Sequence, residues 1–170
     1  MEIMVQMKDS DKEHYLLDKW NCWAHLPQDN NWGLSSYKKI TCINTIESAA
    51  RYIENFPENI VKNCMLFIMR DGINPYWEDP KNIKGGCFSY KVNYKCVNEC
   101  WKNLSYLLLG ETLTNETVSN NINGITISPK KNFCIVKIWL NTCDYMDVNI
   151  IKDIQELPKH GAFFKKHISE

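Results

Sequence analysis

The chain has 170 residues, of which 44% are hydrophobic and 12% aromatic, and its 20 Lys and Arg residues balance 20 Asp and Glu residues. This composition predicts one globular domain with a substantial core and excludes a disordered chain. Zero net charge also excludes a protein that holds long nucleic-acid backbones without specificity, so any nucleic acid is expected to be recognised through a small feature.

The eight cysteines are scattered and include no CxxC pair, which predicts reduced thiols in a cytoplasmic protein. The N-terminal residues 1–9 are too few and too acidic for a signal peptide. Cys96 and Cys100 are four positions apart, but they have no second cysteine pair and no histidine partner, so no metal site is expected. No apolar run approaches the ~18 residues that a membrane span needs, and no membrane partner is expected.

Residues 1–12 are polar and charged and are predicted to form a flexible N-terminal segment before a single domain over residues 13–170. Aromatic and β-branched runs predict strands, and apolar residues at helical spacing predict helices. The predicted strands are 14–25, 37–43, 64–70, 88–92, 124–128, 133–140 and 162–168. The predicted helices are 44–56 with Asn44 as N-cap, 98–109 with Gly110 as the residue after the helix, and 147–157 with Asp147 as N-cap. This order predicts an α+β fold, an antiparallel sheet with helices packed on one face.

The adjacent pair Trp77 and Glu78 follows a turn signal at 71–75 and carries the most specific chemistry of the chain. An indole face can stack on a nucleobase, and the neighbouring carboxylate can accept hydrogen bonds from the base edge. Guanine suits a carboxylate because its N1–H and N2–H₂ groups are parallel donors at bidentate spacing. The pair predicts a guanine-binding site, and the alternative is a core tryptophan beside a solvated acidic turn.

Two further tryptophans suit such a site. Trp32 lies in the polar segment 28–33, which has little core to enter. Trp139 ends a predicted strand whose alternation places Lys137 and Trp139 on one face and the apolar residues 136 and 138 on the other. The alternative for Trp139 is a core indole at the end of a strand. The three remaining tryptophans are assigned to the scaffold: Trp20, Trp23 and Trp101.

With these residues in view, the sequence resembles the messenger-RNA cap-binding translation initiation factor 4E family. The resemblance covers nearly the whole chain: residues 14–16 and 20–23, Trp32, the block 71–86, Trp101 with 107–111, Gly124 and Trp139. It implies a curved antiparallel sheet of about eight strands, three helices on the convex face and a cap slot on the concave face. In the family, two tryptophans, matched here by Trp32 and Trp77, sandwich 7-methylguanine. The match to Glu78 takes the guanine N1 and N2 protons, and the N7-methyl group abuts the match to Trp139.

The family also implies cations for the cap triphosphate. An arginine of a hairpin turn matches Lys130, with Lys131 beside it, and a lysine further along is replaced by isoleucine. Lys137, two residues after that isoleucine and on the same strand face, is the expected substitute. A third basic family position is Cys87 here. For Lys130 and Lys131, a solvated turn remains the alternative. Whether Lys165, Lys166 and His167 reach the slot from the last strand stays open.

On the opposite face, the resemblance implies a groove for a Tyr-x-x-x-x-Leu-hydrophobic helix of a scaffold protein or repressor. The expected partner-binding residues are His14, Ile46, Ala50, Lys102, Tyr106, Leu109 and Gly110. Ala50 replaces the tryptophan that anchors this helix in the family, and Lys102 and Tyr106 replace two aliphatic contacts. Because these groove residues are altered, we expect a divergent partner. The chain also ends at Glu170, short of the family's C-terminal loop, which helps cover the cap.

The expected function is binding of capped mRNA to promote translation initiation with a divergent scaffold protein that carries a helical motif. One alternative is a cap-binding decoy or repressor that recruits no scaffold. Another is a protein-interaction module of the same fold without cap affinity, which the retained Trp32, Trp77, Glu78 and Trp139 argue against. Because no nucleophile–base pair and no phosphate-cradling loop are present, neither an enzyme nor a cofactor is expected.

Overall fold

The computed structural model describes residues 12–168, and the predicted flexible segment 1–12 therefore lies almost entirely outside the described residues. The strands are β1 Tyr15–His25, β2 Tyr37–Thr45, β3 Met65–Arg70, β4 Gly86–Asn93, β5 Ile122–Pro129, β6 Phe133–Leu140 and β7 Phe163–Lys166. The helices are α1 Ile46–Asn55, α2 Glu58–Asn63, α3 Val97–Leu109 and α4 Glu116–Ser119. The strands form one curved, open antiparallel sheet in the order β2-β1-β3-β5-β6-β4-β7.

The predicted α+β fold is confirmed, with seven strands in the sheet where about eight were expected and four helices in place of three. The two short helices, α2 and α4, were not predicted. A large core cluster lies between the sheet and the helices and includes Trp20, Phe88 and Trp101. A smaller cluster around Phe67 and Trp139 is separate from it. We call the sheet face that carries this smaller cluster the front face.

The alternation predicted for β6 is present in the structure. Val136 and Ile138 are fully buried in the helix-side core, whereas Trp139 belongs to the smaller cluster and Lys137 remains partly exposed. Because successive side chains of a strand point to opposite faces, β6 supplies both the core and the front face.

The first helix begins one residue later than the sequence predicts. Thr45, not Asn44, is the N-cap, because β2 continues to Thr45 and the helix starts at the next residue. Thr45 and Ser48 form a reciprocal capping box in which each side-chain oxygen accepts the other residue's backbone N–H at 3.1 Å. Glu47 is thereby free to accept hydrogen bonds from His14, at 3.2 Å from its backbone N–H and 2.6 Å from Nδ1.

The predicted helix over 147–157 is wrong. The segment contains one short 3₁₀ turn, Val148–Ile150, and is otherwise irregular. The backbone N–H of Lys152 donates to the carbonyl of Leu113 at 2.9 Å, so the segment bonds to a neighbouring loop and not to its own preceding turn. Its β-branched run also lowers helix propensity. Of the four residues that suggested a helical stripe, Ile151, Ile154 and Leu157 are buried along this irregular path, and Ile150 is half-buried.

The end of α3 also differs from expectation. Gly110 caps the helix at φ −83°, and the left-handed residue is Glu111 at φ 55°. A left-handed non-glycine residue is unfavourable unless its surroundings hold it. Here the Arg70 guanidinium donates to both Glu111 carboxylate oxygens, at 2.6 and 3.1 Å, and to Asp18 at 2.7 Å. A salt-bridge network thus fixes the turn that glycine was expected to make.

No helix within residues 12–168 is long and apolar enough to cross a membrane. The eight cysteines, all of which lie in this range, are unpaired. In the same part of the chain, no group of three or more His, Cys, Asp and Glu side chains is placed to hold a metal ion.

Candidate functional site

A cavity of about 220 Å³ opens on the front face of the sheet. Its lining consists of Trp32, Tyr37, Met65, Phe67, Pro75, Tyr76, Trp77, Glu78, Lys137 and Trp139. The structure therefore brings together all four residues predicted to contact a base, although they come from two loops and one strand. The volume is below the about 300 Å³ at which pockets for drug-sized ligands begin, which suits one planar ring system.

The three predicted phosphate-binding lysines are not equally placed. Lys137 lines the cavity, next to Trp139 on the front face of β6. Lys130 and Lys131 are exposed in the β5–β6 turn, where the backbone N–H of Lys130 donates to the carbonyl of Phe133 at 2.8 Å. Neither turn lysine belongs to the cavity lining.

Trp32 is held in the β1–β2 loop by a residue that sequence reasoning missed. The indole is 61% exposed, yet its plane lies parallel to the His25 imidazole, with an interplanar angle of 3° and ring centroids 4.2 Å apart. His25 is only 2% exposed, and its Nε2–H donates to the carbonyl of Asn31 at 2.8 Å. The carboxamide oxygen of Asn31 in turn accepts the backbone N–H of Gly33 at 2.8 Å. One face of Trp32 is therefore occupied by His25.

A buried polar network shapes the loop that carries Trp77–Glu78. The Asp79 carboxylate accepts the backbone N–H of Asn74 at 3.0 Å and its side-chain amide at 2.9 Å. Asn82 donates to the carbonyls of Asn74 and Tyr76, at 3.1 and 2.9 Å. Because Asp79 and Asn82 are both buried, these bonds are protected from water. Trp77 remains 44% exposed on this fixed loop.

Trp139 fits both of the roles considered for it. It is buried in the smaller cluster with Tyr37 and Phe67, and it also lines the cavity. Its Nε1–H donates to the hydroxyl of Thr126 at 2.8 Å, so the polar edge of the indole is satisfied inside the sheet. The ring of His167 lies 5.0 Å away at 50°. Trp139 is thus a rigid part of the cavity wall.

Charged side chains of both signs lie around the cavity. Burial raises the pKa of the Tyr37 hydroxyl, and the nearby Glu78 carboxylate raises it further. Burial also raises the pKa of the Cys87 thiol, an effect that the ammonium groups of Lys137 and Lys165 oppose. One side of the site is therefore anionic and faces the loops, and the other side is cationic and faces β4, β6 and β7.

On the helix side, α1 and α3 are joined through one carboxylate. Glu54 accepts a hydrogen bond from the Tyr106 hydroxyl at 2.6 Å and lies 3.4 Å from the Lys102 ammonium group. These contacts lower the pKa of Glu54, with the Tyr106 bond as the main cause. Ala50 is half-buried on the preceding turn of α1. The two substituted groove residues on α3, Lys102 and Tyr106, thus both contact Glu54 of α1.

The remaining predicted partner-binding residues differ in accessibility. His14 and Ile46 are exposed where β1 meets the start of α1. Gly110 is exposed at the end of α3, whereas Leu109 is only 2% exposed and packs in the main core. Leu109 can support this surface from beneath but offers a partner little area.

Two larger cavities, of about 370 and 390 Å³, lie elsewhere on the chain. The first lies between α3 and residues 152–156, and the second is lined by polar side chains that include Arg70, Lys81 and Lys84. Neither contains a tryptophan, so neither offers an indole for base stacking. The front cavity is the better candidate for a nucleotide despite its smaller volume.

Comparison with known proteins agrees with the resemblance. The profile of the family described as "IF4E: Eukaryotic initiation factor 4E" matches residues 15–168. The eukaryotic translation initiation factor 4E of Candida glabrata is 26% identical over 149 residues, which cover 84% of this chain and 70% of that protein. A homolog of the factor from Acanthamoeba polyphaga mimivirus is 48% identical over 62 residues, which cover 36% of this chain and 23% of that protein.

Among solved structures, the schistosome eIF4E complexed with m7GpppG and 4E-BP superposes with a TM-score of 0.70 at 24% identity. The superposition covers 78% of this chain and 74% of that one, and it shows that the fold is shared. The family match extends over almost the whole described chain. The chain therefore belongs to the eukaryotic initiation factor 4E family, whose members are cap-binding translation factors and not enzymes.

Proposed function

We propose that the front cavity binds the 7-methylguanosine cap of mRNA in the cytoplasm, and that the protein thereby promotes translation initiation. The observation that carries this proposal is the shared cavity of two exposed indoles, Trp32 and Trp77, with Glu78 next to Trp77 and Trp139 in the wall. Methylation at N7 gives the guanine ring a positive charge. A cationic ring between two indoles gains about 0.5–2 kcal/mol from cation–π attraction and about 1–3 kcal/mol from stacking.

Glu78 gives the site its preference for guanine. Its carboxylate accepts the N1–H and N2–H protons, which form a parallel pair of donors on guanine alone among the common bases. The polar network of Asp79 and Asn82 supports the loop from within, so the carboxylate is positioned before the base arrives. The N7-methyl group then lies against Trp139.

Lys137 is the first cation that the cap triphosphate meets in this proposal, because it lines the cavity beside Trp139. Lys130 and Lys131, in the hairpin turn, are assigned to more distant phosphates. Lysine supplies charge without the bidentate fork of arginine, so the phosphate contacts are less directional than arginine contacts.

The partner in this proposal is a divergent scaffold protein that presents a helix to α1 and α3. Ile46 is exposed there, and Ala50 leaves space where a bulky partner side chain can pack. The relative in the schistosome complex is bound to 4E-BP, which supports a protein ligand for this fold. The Lys102–Glu54–Tyr106 contacts make the groove more polar than the aliphatic one that the resemblance implies.

The same contacts favour a second candidate, a cap-binding decoy or repressor that recruits no scaffold. Lys102 and Tyr106 already satisfy Glu54, so a conventional leucine side chain has to displace polar contacts. Translation of a capped reporter in an extract depleted of its own cap-binding factor distinguishes the two candidates. An initiation factor restores translation, whereas a decoy leaves the depleted extract inactive and inhibits an undepleted one.

Cap binding itself is tested by titrating the protein with 7-methyl-GTP and GTP while tryptophan fluorescence is followed. We expect quenching and much tighter binding of 7-methyl-GTP, because only the methylated ring is cationic. Glu78→Ala leaves the guanine donors unpaired and is expected to cost about 1–3 kcal/mol of binding free energy. Glu99→Ala, at an exposed position on α3, is the matched control and should change nothing. Equal affinities for the two nucleotides would rule out the indole sandwich.

A further inference from the structure

Next to the cap cavity, the front face of the sheet carries an exposed aromatic ring that no role accounts for. Phe163 is the first residue of β7 and is 57% exposed. It pairs with Ser89 of β4, which pairs on its other side with Lys137 of β6. Residues directly opposite one another in antiparallel strands share a face, so Phe163, Ser89 and Lys137 form one row on the front face.

A second row runs parallel to the first, two residues along each strand. It consists of Lys165 in β7, Cys87 in β4 and Trp139 in β6. The next residue of β7, Phe164, packs edge-on against buried Phe88 at 5.0 Å and therefore faces the helices. Alternation along β7 thus directs Phe163 and Lys165 to the same face as Trp139.

The charges of the two lysines are not neutralised by the protein. Within residues 12–168, no carboxylate lies within 4.0 Å of the ammonium group of Lys137 or Lys165. His167, whose ring lies 5.0 Å from that of Trp139, is close to both lysines. Burial lowers the pKa of His167, its bond to the Asn82 carbonyl opposes this, and the charges of Lys137 and Lys165 lower the pKa further. Two unpaired cations beside an exposed ring form a surface suited to a polyanion that also carries flat bases.

We propose that Phe163 stacks on the base of the first transcribed nucleotide of capped RNA, while Lys137 and Lys165 hold the phosphates that join this nucleotide to the cap. The inference rests on the proposed cap binding and extends the site across β4 to β7. The ligand class is single-stranded capped RNA, because a base and its phosphates have to be bound together.

The spacing of the two rows fits such a ligand. Neighbouring strands lie about 4.8 Å apart, so the two steps from β6 to β7 cover about 10 Å. Moving two residues along the strand adds about 7 Å, which places the Phe163 and Trp139 backbones about 12 Å apart. The short side chains of Ser89 and Cys87 lie between them and leave the path open. A triphosphate bridge separates the two bases of a capped dinucleotide by a distance of this order.

The test compares 7-methyl-GTP, which lacks the second base, with the capped dinucleotide m7GpppA, by calorimetry on the full chain. Base–aromatic stacking predicts that Phe163→Ala weakens binding of m7GpppA about 5- to 140-fold and leaves binding of 7-methyl-GTP unchanged. Phe163→Tyr keeps the ring and is expected to retain the wild-type affinity for both ligands. Tyr15→Ala removes an exposed aromatic ring from β1, at the other side of the sheet, and serves as the matched control.

Lys165→Ala is expected to weaken both ligands and to reduce the slope of log affinity against log salt by about one. If Phe163→Ala binds m7GpppA as the wild type does, the inference is overturned while cap binding stands. If Phe163→Ala weakens both ligands equally, Phe163 supports the cavity and does not stack on the second base, which also overturns the inference. If the wild-type protein binds neither ligand, the proposed function and the inference both fail.

Discussion

The stack of His25 on Trp32 leads to a prediction about how the indole is oriented for the proposed cap binding. In His25→Ala the imidazole that covers one face of Trp32 at 4.2 Å is lost, together with the hydrogen bond to the Asn31 carbonyl. Trp32 is 61% exposed, so few other contacts hold its ring in the binding orientation. We expect the loop to fold but the indole to sample several rotamers in the free protein.

The size of the effect follows from the cost of ordering that side chain again. Immobilising a side chain at an interface costs about 0.5–1.5 kcal/mol, and an aromatic stack contributes a similar amount. At 1.4 kcal/mol per factor of ten, His25→Ala should weaken 7-methyl-GTP binding about 2- to 12-fold. Because His25 is buried, its removal should also lower the free energy of unfolding, by about 3 kcal/mol.

His25→Phe separates the two roles of the imidazole. Phenylalanine keeps a flat ring under Trp32 and loses only the bond to the carbonyl of Asn31, a residue that is exposed to water. We therefore expect near wild-type cap affinity in His25→Phe, measured by calorimetry at a temperature where all variants are folded. His160→Ala, at an exposed histidine outside the cavity lining, is the control. Unchanged 7-methyl-GTP affinity in His25→Ala would refute the idea that this stack prepares the indole.

Two further predictions concern the wall of the cavity and the helix side. Thr126→Val removes the only acceptor that bonds Trp139 Nε1–H in the described residues. Chemical denaturation should show that the free energy of unfolding falls by about 1–3 kcal/mol. An unchanged unfolding midpoint would mean that the indole finds another acceptor. Wild-type protein should bind a conventional Tyr-x-x-x-x-Leu-hydrophobic peptide weakly, and Ala50→Trp should tighten binding by about 30-fold in calorimetry, because an anchoring indole contributes about 2 kcal/mol. Nanomolar binding by the wild type would contradict the role given to Ala50, and no gain in Ala50→Trp would show that the Lys102–Glu54–Tyr106 contacts close the groove.

Much of the cavity could be predicted because its residues carry strong local signals. These signals depend only on neighbours in sequence: a tryptophan in a polar loop, a Trp-Glu pair after a turn and the alternation of β6. The structure places the residues that carry them around one cavity: Trp32, Trp77, Glu78 and Trp139. What could not be predicted depends on contacts between distant residues. His25 lies in a strand that reads as ordinary core, and only the path of the β1–β2 loop brings Trp32 onto its ring.

The errors in secondary structure have the same origin. The isoleucines of 147–157 show helical spacing, but the segment is bonded to the loop at Leu113 and buries Ile151 and Ile154 without a helix. The left-handed turn after α3 falls on Glu111 because Arg70, 41 residues earlier, holds its carboxylate. In both places, tertiary contacts override the local preference of the chain, and the periodicity of the sequence carries no information about those contacts.

The position of β7 at the edge of the sheet has a consequence for the solubility of the free protein. Within residues 12–168, β7 pairs with β4 alone, so its outer backbone groups are open to another strand, and Phe163 adds an exposed apolar ring to that edge. Edges of this kind invite pairing between copies of a chain unless they are short or charged. β7 is four residues long and ends in Lys165 and Lys166, whose charges repel a second copy of the same edge. We therefore expect Lys165, which we propose binds RNA phosphates, also to oppose self-association through β7 while no RNA is bound.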